Sequence, residues 1–211
     1  LAAVNPKRGP DAALKMMDDL IARFGDSPMF KIQRVRLLGA RNDERMVEDV
    51  LALTKDTEGW EKRHVDTLWA IIATVFEQTR HPEEAELALK EVAKLREGDL
   101  PIRIRLFKSA LARNDNEGMQ AAQAEILDIV GSKKDTNWAY TEAARLFATG
   151  DTSDTQRQEE VNRLLSAIIR EREDWHEPYL LRAKLKLTKG DGAGALADFE
   201  KGLSLGQGNL I

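Results

Sequence analysis

Three histidines, His64, His81 and His176, are the side chains best suited to hold a metal ion, and they lie far apart in a chain of 211 residues. No two of them stand at the H-x3-H spacing of a helical ligand pair, so solvated or turn histidines are expected and no metal site. Carboxylates come in pairs at Asp18–Asp19, Glu83–Glu84 and Glu159–Glu160. Each pair falls on an outer helix face or in a first turn, where acids favour the helix dipole rather than acid–base chemistry. Six serines (Ser27, Ser109, Ser132, Ser153, Ser166 and Ser204) lack the G-x-S-x-G setting of a nucleophile elbow. "GDGAG" at Gly190–Gly194 is glycine-rich, but no strand precedes it and no Lys-Ser/Thr follows, so it is not read as a phosphate loop. Trp60, Trp69, Trp138 and Trp175 could stack a ligand. Their recurrence near the starts of first helices favours packing, with Trp60 and Trp175, near loops, as the exceptions. No catalytic residue, cofactor or metal is expected.

The chain that positions these residues is 42% hydrophobic and 32% charged, with 32 Lys+Arg against 36 Asp+Glu and a net charge of −4. That balance carries no general basic footprint for nucleic acid. Cysteine is absent, which removes disulfides and thiolate metal sites. The longest apolar stretch, Leu68 to Phe76, is far short of the ~20 residues that span a bilayer. The chain opens on Leu1 rather than Met. Leu1 to Val4 read as the tail of a helix that begins upstream, and Gly206–Ile211 as the lead into a further repeat.

Helical periodicity dominates. Tyr179, Leu180, Ala183 and Leu187 form one apolar stripe, Lys189-Gly190-Asp191 a break, and Ala195, Leu196, Phe199, Gly202 and Leu203 a second stripe. Small residues at Ala183, Ala195 and Gly202 let the two helices approach closely. So short a pair cannot bury its faces alone and needs neighbours. The unit recurs. Trp69, Ile72, Ala73 and Phe76 precede a turn at Arg80-His81-Pro82, and Ala85, Leu89 and Val92 follow it. Second-helix anchors at Ala13, Val47, Ala85, Met119, Val161 and Ala195 lie 34, 38, 34, 42 and 34 residues apart. Extra residues around Lys55–Trp60 account for the 38, and a longer turn at Gly150–Glu160 for most of the 42. Gln123 and Thr54 interrupt the apolar spacing that follows the anchors.

This pattern resembles the tetratricopeptide repeat, a helix–turn–helix of about 34 residues. The resemblance covers nearly the whole chain. It is closest over 66–98 and 175–207, and least over 100–130. Expected helices span 11–24, 29–40, 43–54, 60–79, 83–96, 101–113, 116–130, 136–149, 156–171, 176–189 and 192–205. "FGDSP" at 24–28, "REGDLP" at 96–101 and "GSKKD" at 131–135 connect the pairs. The fold implied is all-α: a single right-handed α-α superhelix over 1–211, of about five helix pairs plus a leading helix, cut from a longer solenoid.

In such solenoids the first helices line a concave groove that holds a peptide. Aligning them on their turn residues (Asn42, Arg80, Asn114, Gly150, Gly190) turns Gln33, Arg36, Thr74, Gln78, Arg105, Lys108, Tyr140, Thr141 and Lys184 inward. Glu77 and Glu177 lie near that line, and Tyr140 and Leu181 offer apolar anchors. The basic bias predicts an acidic partner segment; the bland alternative is a merely solvated wall. Members of the family that capture chaperone C-termini carry a clamp of Lys, Asn, Asn, Lys and Arg. Ile32, Arg36, Ile71, Pro101 and Arg105 stand there, and only Arg105 matches. The next frame, Ala70, Thr74, Arg105, Asn137 and Thr141, fails too. The resemblance thus implies a non-enzymatic scaffold for protein–protein interaction. The alternative is a spacer or self-associating segment of a larger polypeptide, enzymatic or not, joined through exposed solenoid ends such as Leu196, Leu203 and Leu205.

Overall fold

The computed structural model describes residues 9–151 and 154–207. Leu1–Val4, Ser153 and the last four residues of the expected C-terminal lead lie outside them. Among the described residues there are eleven helices and no strand. In chain order they are α1 (Pro10–Phe24), α2 (Pro28–Arg41), α3 (Met46–Ala52), α4 (Lys62–Gln78), α5 (Pro82–Leu95), α6 (Leu100–Ala112), α7 (Asn116–Val130), α8 (Thr136–Thr149), α9 (Thr155–Glu171), α10 (His176–Thr188) and α11 (Gly192–Gln207). Two compact units divide the chain at Ile102 and Arg103, inside α6. Each is described by itself.

The helix boundaries follow from capping chemistry. Pro10, Pro28 and Pro82 open α1, α2 and α5, at the position where a missing N–H is harmless. Asp115, Asp135, Asp154 and Asp191 each accept backbone N–H groups of a following first turn; Asp115 and Asp191 both take the one three residues on, at 2.9 Å. The glycines in "GDGAG" therefore serve a helix start. A side chain at Gly194 would strike the capping carboxylate of Asp191.

Three hairpins close with one turn. Arg80, Asn114 and Gly190 take left-handed φ values of 63°, 54° and 77°. The next N–H donates five residues back, His81 to Phe76, Asp115 to Ala110 and Asp191 to Lys186, the bond of a Schellman cap. Gly150, aligned with them from sequence, is extended instead, with φ −91°. The α9 helix begins at Thr155, one residue before the expected start at 156, so the stretch 150–160 to which the long spacing is assigned already holds the first turn of α9.

In the first unit α2 packs on α1, α3 and α4, and α4 on α5. α2 and α4 approach so closely at Gly39 that an added Cβ would lie 2.5 Å from Val75 Cγ1. Leu68, Ile72, Ala73, Phe76, Ala88 and Val92 are fully buried. Here α3 departs from the expected 43–54. Asp43 Oδ1 accepts the Arg45 N–H and delays the helix, and i→i+3 bonds from Leu53, Thr54 and Lys55 end it. The buried residues are Met46 and Val50, not Val47, Leu51 and Thr54, so the stripe lies one residue earlier. Leu14 likewise replaces Ala13 as the buried anchor of α1.

In the second unit α7 packs on α8, α8 on α9, and α10 on α8, α9 and α11. Ala139, Ala143, Val161, Leu164, Leu165, Ile168 and Leu185 form its core. Gln123, the break in the expected apolar spacing, is buried. Its amide donates to Glu142 Oε2 at 3.0 Å, so α8 satisfies the polar intruder. Ala183 and Ala195 are fully buried, and a Cβ at Gly202 would lie 2.7 Å from Leu180 Cδ2, which explains the small residues of α10–α11.

Candidate partner-docking site

First helices supply the site in the second unit. The α6 helix carries Arg105 and Lys108 one turn apart, α8 carries Tyr140, and α10 carries Glu177 in its first turn. These elements converge. Lys108 Nζ donates to Glu177 Oε1 over 69 residues of sequence. Trp175, the N-cap residue of α10, donates its indole N–H to Glu177 Oε2 at 2.9 Å. The Tyr140 ring lies 4.9 Å from that of Trp175, tilted by 46°. The Arg172 guanidinium sits 4.3 Å over the same indole. Tyr140, Trp175 and Leu181 in turn pack against the core.

The electrostatics follow from this packing. Burial pushes the Glu177 carboxyl upward, but the Lys108 ion pair and the Trp175 N–H outweigh it and hold the group below its ordinary value. Burial, and then the Glu177 charge, push the Tyr140 phenol above its ordinary value. The cluster therefore holds an ionised carboxylate and a protonated phenol at neutral pH. Among the described residues no group of His, Asp or Glu is placed to bind a metal ion. No described helix is long and apolar enough to cross a membrane.

The remaining expected residues scatter. Thr141 is fully buried and is not a wall residue. Its hydroxyl donates to Trp138 O at 2.8 Å. The two-residue alignment at Tyr140–Thr141 cannot place both side chains on one face of a helix, and packing chose Tyr140. In the first unit Thr74 is half-buried and donates to Ala70 O, Gln33 is half-buried, and Arg36 and Gln78 are exposed. Lys184 is exposed on α10. Neither Arg36 nor Lys184 has an ion pair among the described residues, whereas Arg105 has a contact partner. Glu177 was visible in sequence only as a neighbour of the groove line, and Trp175 as a tryptophan near a loop that could stack a ligand. The pairing with Lys108 had no local signal, because the two residues lie on different repeats.

All four tryptophans are half-buried, and three have a cation at the ring: Lys31 at Trp60, Lys133 at Trp138 and Arg172 at Trp175. Two apolar stripes stay open. Met16, Leu20 and Phe24 are exposed on α1, and Leu196 and Leu203 on α11, whereas Leu205 is half-buried.

No family model and no curated protein matches the chain. Among solved structures, one described as "MamA MSR-1 C2" is similar at 10% identity and a TM-score of 0.45, covering 86% of this chain and 98% of its own. Another, "MamA RS-1 ArsTM double mutant", is similar at 12% identity and a TM-score of 0.44, covering 95% and 96%. At these values the likeness is loose and says nothing of shared function.

Proposed function

We propose that the chain is a non-enzymatic, tetratricopeptide-like scaffold that docks a peptide or partner domain on the wall formed by its first helices. The observation that carries this reading is the linked cluster of Lys108, Tyr140, Trp175 and Glu177, drawn from α6, α8 and the start of α10. It combines half-buried aromatic surface with a fixed charge, the mixture on which binding hot spots are built. The acidic preference expected from the basic bias is narrowed. Lys108 is held by Glu177, so Lys184 in one unit and Arg36 in the other are the cations left for an acidic side chain. Exposed pairs contribute only ~0–1 kcal/mol each, so affinity must come from ring burial as well. The test is anisotropy with acidic, basic and neutral peptide libraries against wild type and Tyr140→Ala. Binding that weakens in the variant supports the wall; binding unchanged by it removes this site.

A second reading has its own observation. Ile169 on α9 is 8% exposed, whereas Leu203, 34 residues on in α11, is 58% exposed. A position covered in one hairpin is thus open in the next, which favours a self-associating segment. Sedimentation across concentration separates the two: association lost in Leu196→Lys/Leu203→Lys, with no peptide binding, supports this second reading.

A further inference from the structure

We propose that the Lys108–Glu177 pair is exchangeable, and that a docked segment presents an arginine to Glu177 in place of Lys108. This rests on the docking reading and adds the chemistry of the partner at one point.

The two halves of the pair are not equally replaceable. The Glu177 side chain is 24% exposed, and its second oxygen is fixed by the Trp175 indole. Trp175 is in turn seated against Tyr140 and beneath Arg172. The carboxylate cannot turn away without losing the indole bond. Lys108 reaches it from α6 with a side chain 41% exposed, on a flexible four-carbon stem. Its ammonium passes into water with little loss and regains rotamer freedom. An incoming acid has no such path. If it takes Lys108 away, a half-buried carboxylate is left unpaired; if it joins the pair, two carboxylates crowd one ammonium. A cation-for-cation exchange keeps Glu177 paired throughout. Arginine suits the place better than lysine, because a planar guanidinium can meet the carboxylate and lie against an aromatic ring together. Arg172 over Trp175 is that second contact already made within the fold. Arg172 is the charge that opposes a second cation here, and it forms no ion pair with Glu177 among the described residues. The carboxylate therefore has one cation to exchange.

The experiment uses the whole chain and a synthetic library of fixed-length peptides with Arg, Asp or Ser at each position. Affinity is read by anisotropy and location by the Trp175 indole proton in NMR. Arginine peptides are expected to be preferred and to move that proton. Lys108→Ala, which removes the competitor, should tighten them, and Glu177→Gln should weaken them by about fivefold or more, the scale of a partly exposed charged hydrogen bond. The opposite pattern overturns the exchange while leaving docking intact: aspartate peptides preferred, weakened by Lys108→Ala and tightened by Glu177→Gln. Arginine peptides that bind wild type and both variants alike also overturn it. Absence of binding by every peptide removes the docking reading and the exchange together. Lys108→Ala lies on the exposed half of the pair, so its result stands if Glu177→Gln fails to fold.

Discussion

Ile72, Phe76 and Ala88 of the α4–α5 hairpin are all fully buried. Counted from the left-handed turn residues Arg80 and Gly190, the same three positions of α10–α11 hold Arg182, Lys186 and Asp198. There the Arg182 guanidinium meets both oxygens of Asp198 at 2.7 Å and Lys186 Nζ lies 2.9 Å from one of them. Asp198 is 5% exposed. One helix–turn–helix geometry is thus held by hydrocarbon in the first unit and by an ion triad in the second. The turn chemistry sets the hairpin, and the three positions facing each other need only be mutually compatible. An apolar trio draws its stability from water exclusion. A buried triad gains little over such a trio but is strongly damaged when one member is lost.

The largest expected effect lies on the apolar side. Phe76→Ala should destabilise the first unit by about 3–5 kcal/mol, since a fully buried ring leaves a cavity. Denaturant unfolding measures it. A loss under about 1 kcal/mol would mean that the position is not a core position and that the comparison is misaligned.

Next comes Asp198→Asn. It leaves two cations facing a neutral amide and should destabilise by about 2 kcal/mol, less than a fully buried pair because both cations reach solvent. The same residue gives the second unit an acid sensitivity. Burial pushes the Asp198 carboxyl upward, but Arg182 and Lys186 outweigh this and hold it below its ordinary value. A carboxylate with a depressed folded value adds stability that is complete above its unfolded value, about pH 4. That stability is lost as pH falls through the lower folded value. Melting followed from pH 6 to 2 should show a steeper decline in wild type than in Asp198→Asn. Equal slopes would remove the triad from the account. Transplanting the apolar trio, as Arg182→Ile/Lys186→Phe/Asp198→Ala, should fall between neutral and about 2 kcal/mol more stable, with the shallower acid slope.

The repeat was legible wherever a single apolar stripe existed. Ala85, Leu89 and Val92 share one face of α5 with Ala88, and all four are buried. "MVEDVLALT" in the α3 region carries two stripes, 46/50/53 and 47/51/54; the first is wholly apolar and the second ends on Thr54. Packing on α2 chose the first, so the polar Thr54 was the local signal against the expected stripe. Asp198 reads as a surface residue in isolation. Its counterpart 34 residues earlier is Leu164, a core residue, and two bases stand one turn apart on α10, so the repeat register held a signal for the triad. The candidate site was legible in its parts, Lys108, Tyr140 and Trp175. It was not legible as a cluster, because Glu177 joins them only through side chains that fold over from another repeat.

The smallest expected effects sharpen the shared turn itself. Gly190 and Arg80 occupy the same left-handed position, at φ 77° and 63°. Glycine adopts that region freely, whereas an L side chain meets the following carbonyl oxygen, at a cost of roughly 1–2 kcal/mol. Gly190→Ala should therefore destabilise α10–α11 by about 1 kcal/mol, less than the strain because alanine also narrows the unfolded ensemble. Arg80→Gly runs the other way: relief of strain exceeds the added unfolded-state freedom, and the gain should be about 0.5 kcal/mol. Nothing within 4 Å crowds a Cβ at Gly190, so steric clash does not confuse the alanine result. Paired denaturant curves for the two variants test the sign in each case. If Gly190→Ala is neutral and Arg80→Gly destabilises, the two turns are not one motif, and equating positions 72, 76 and 88 with 182, 186 and 198 loses its anchor.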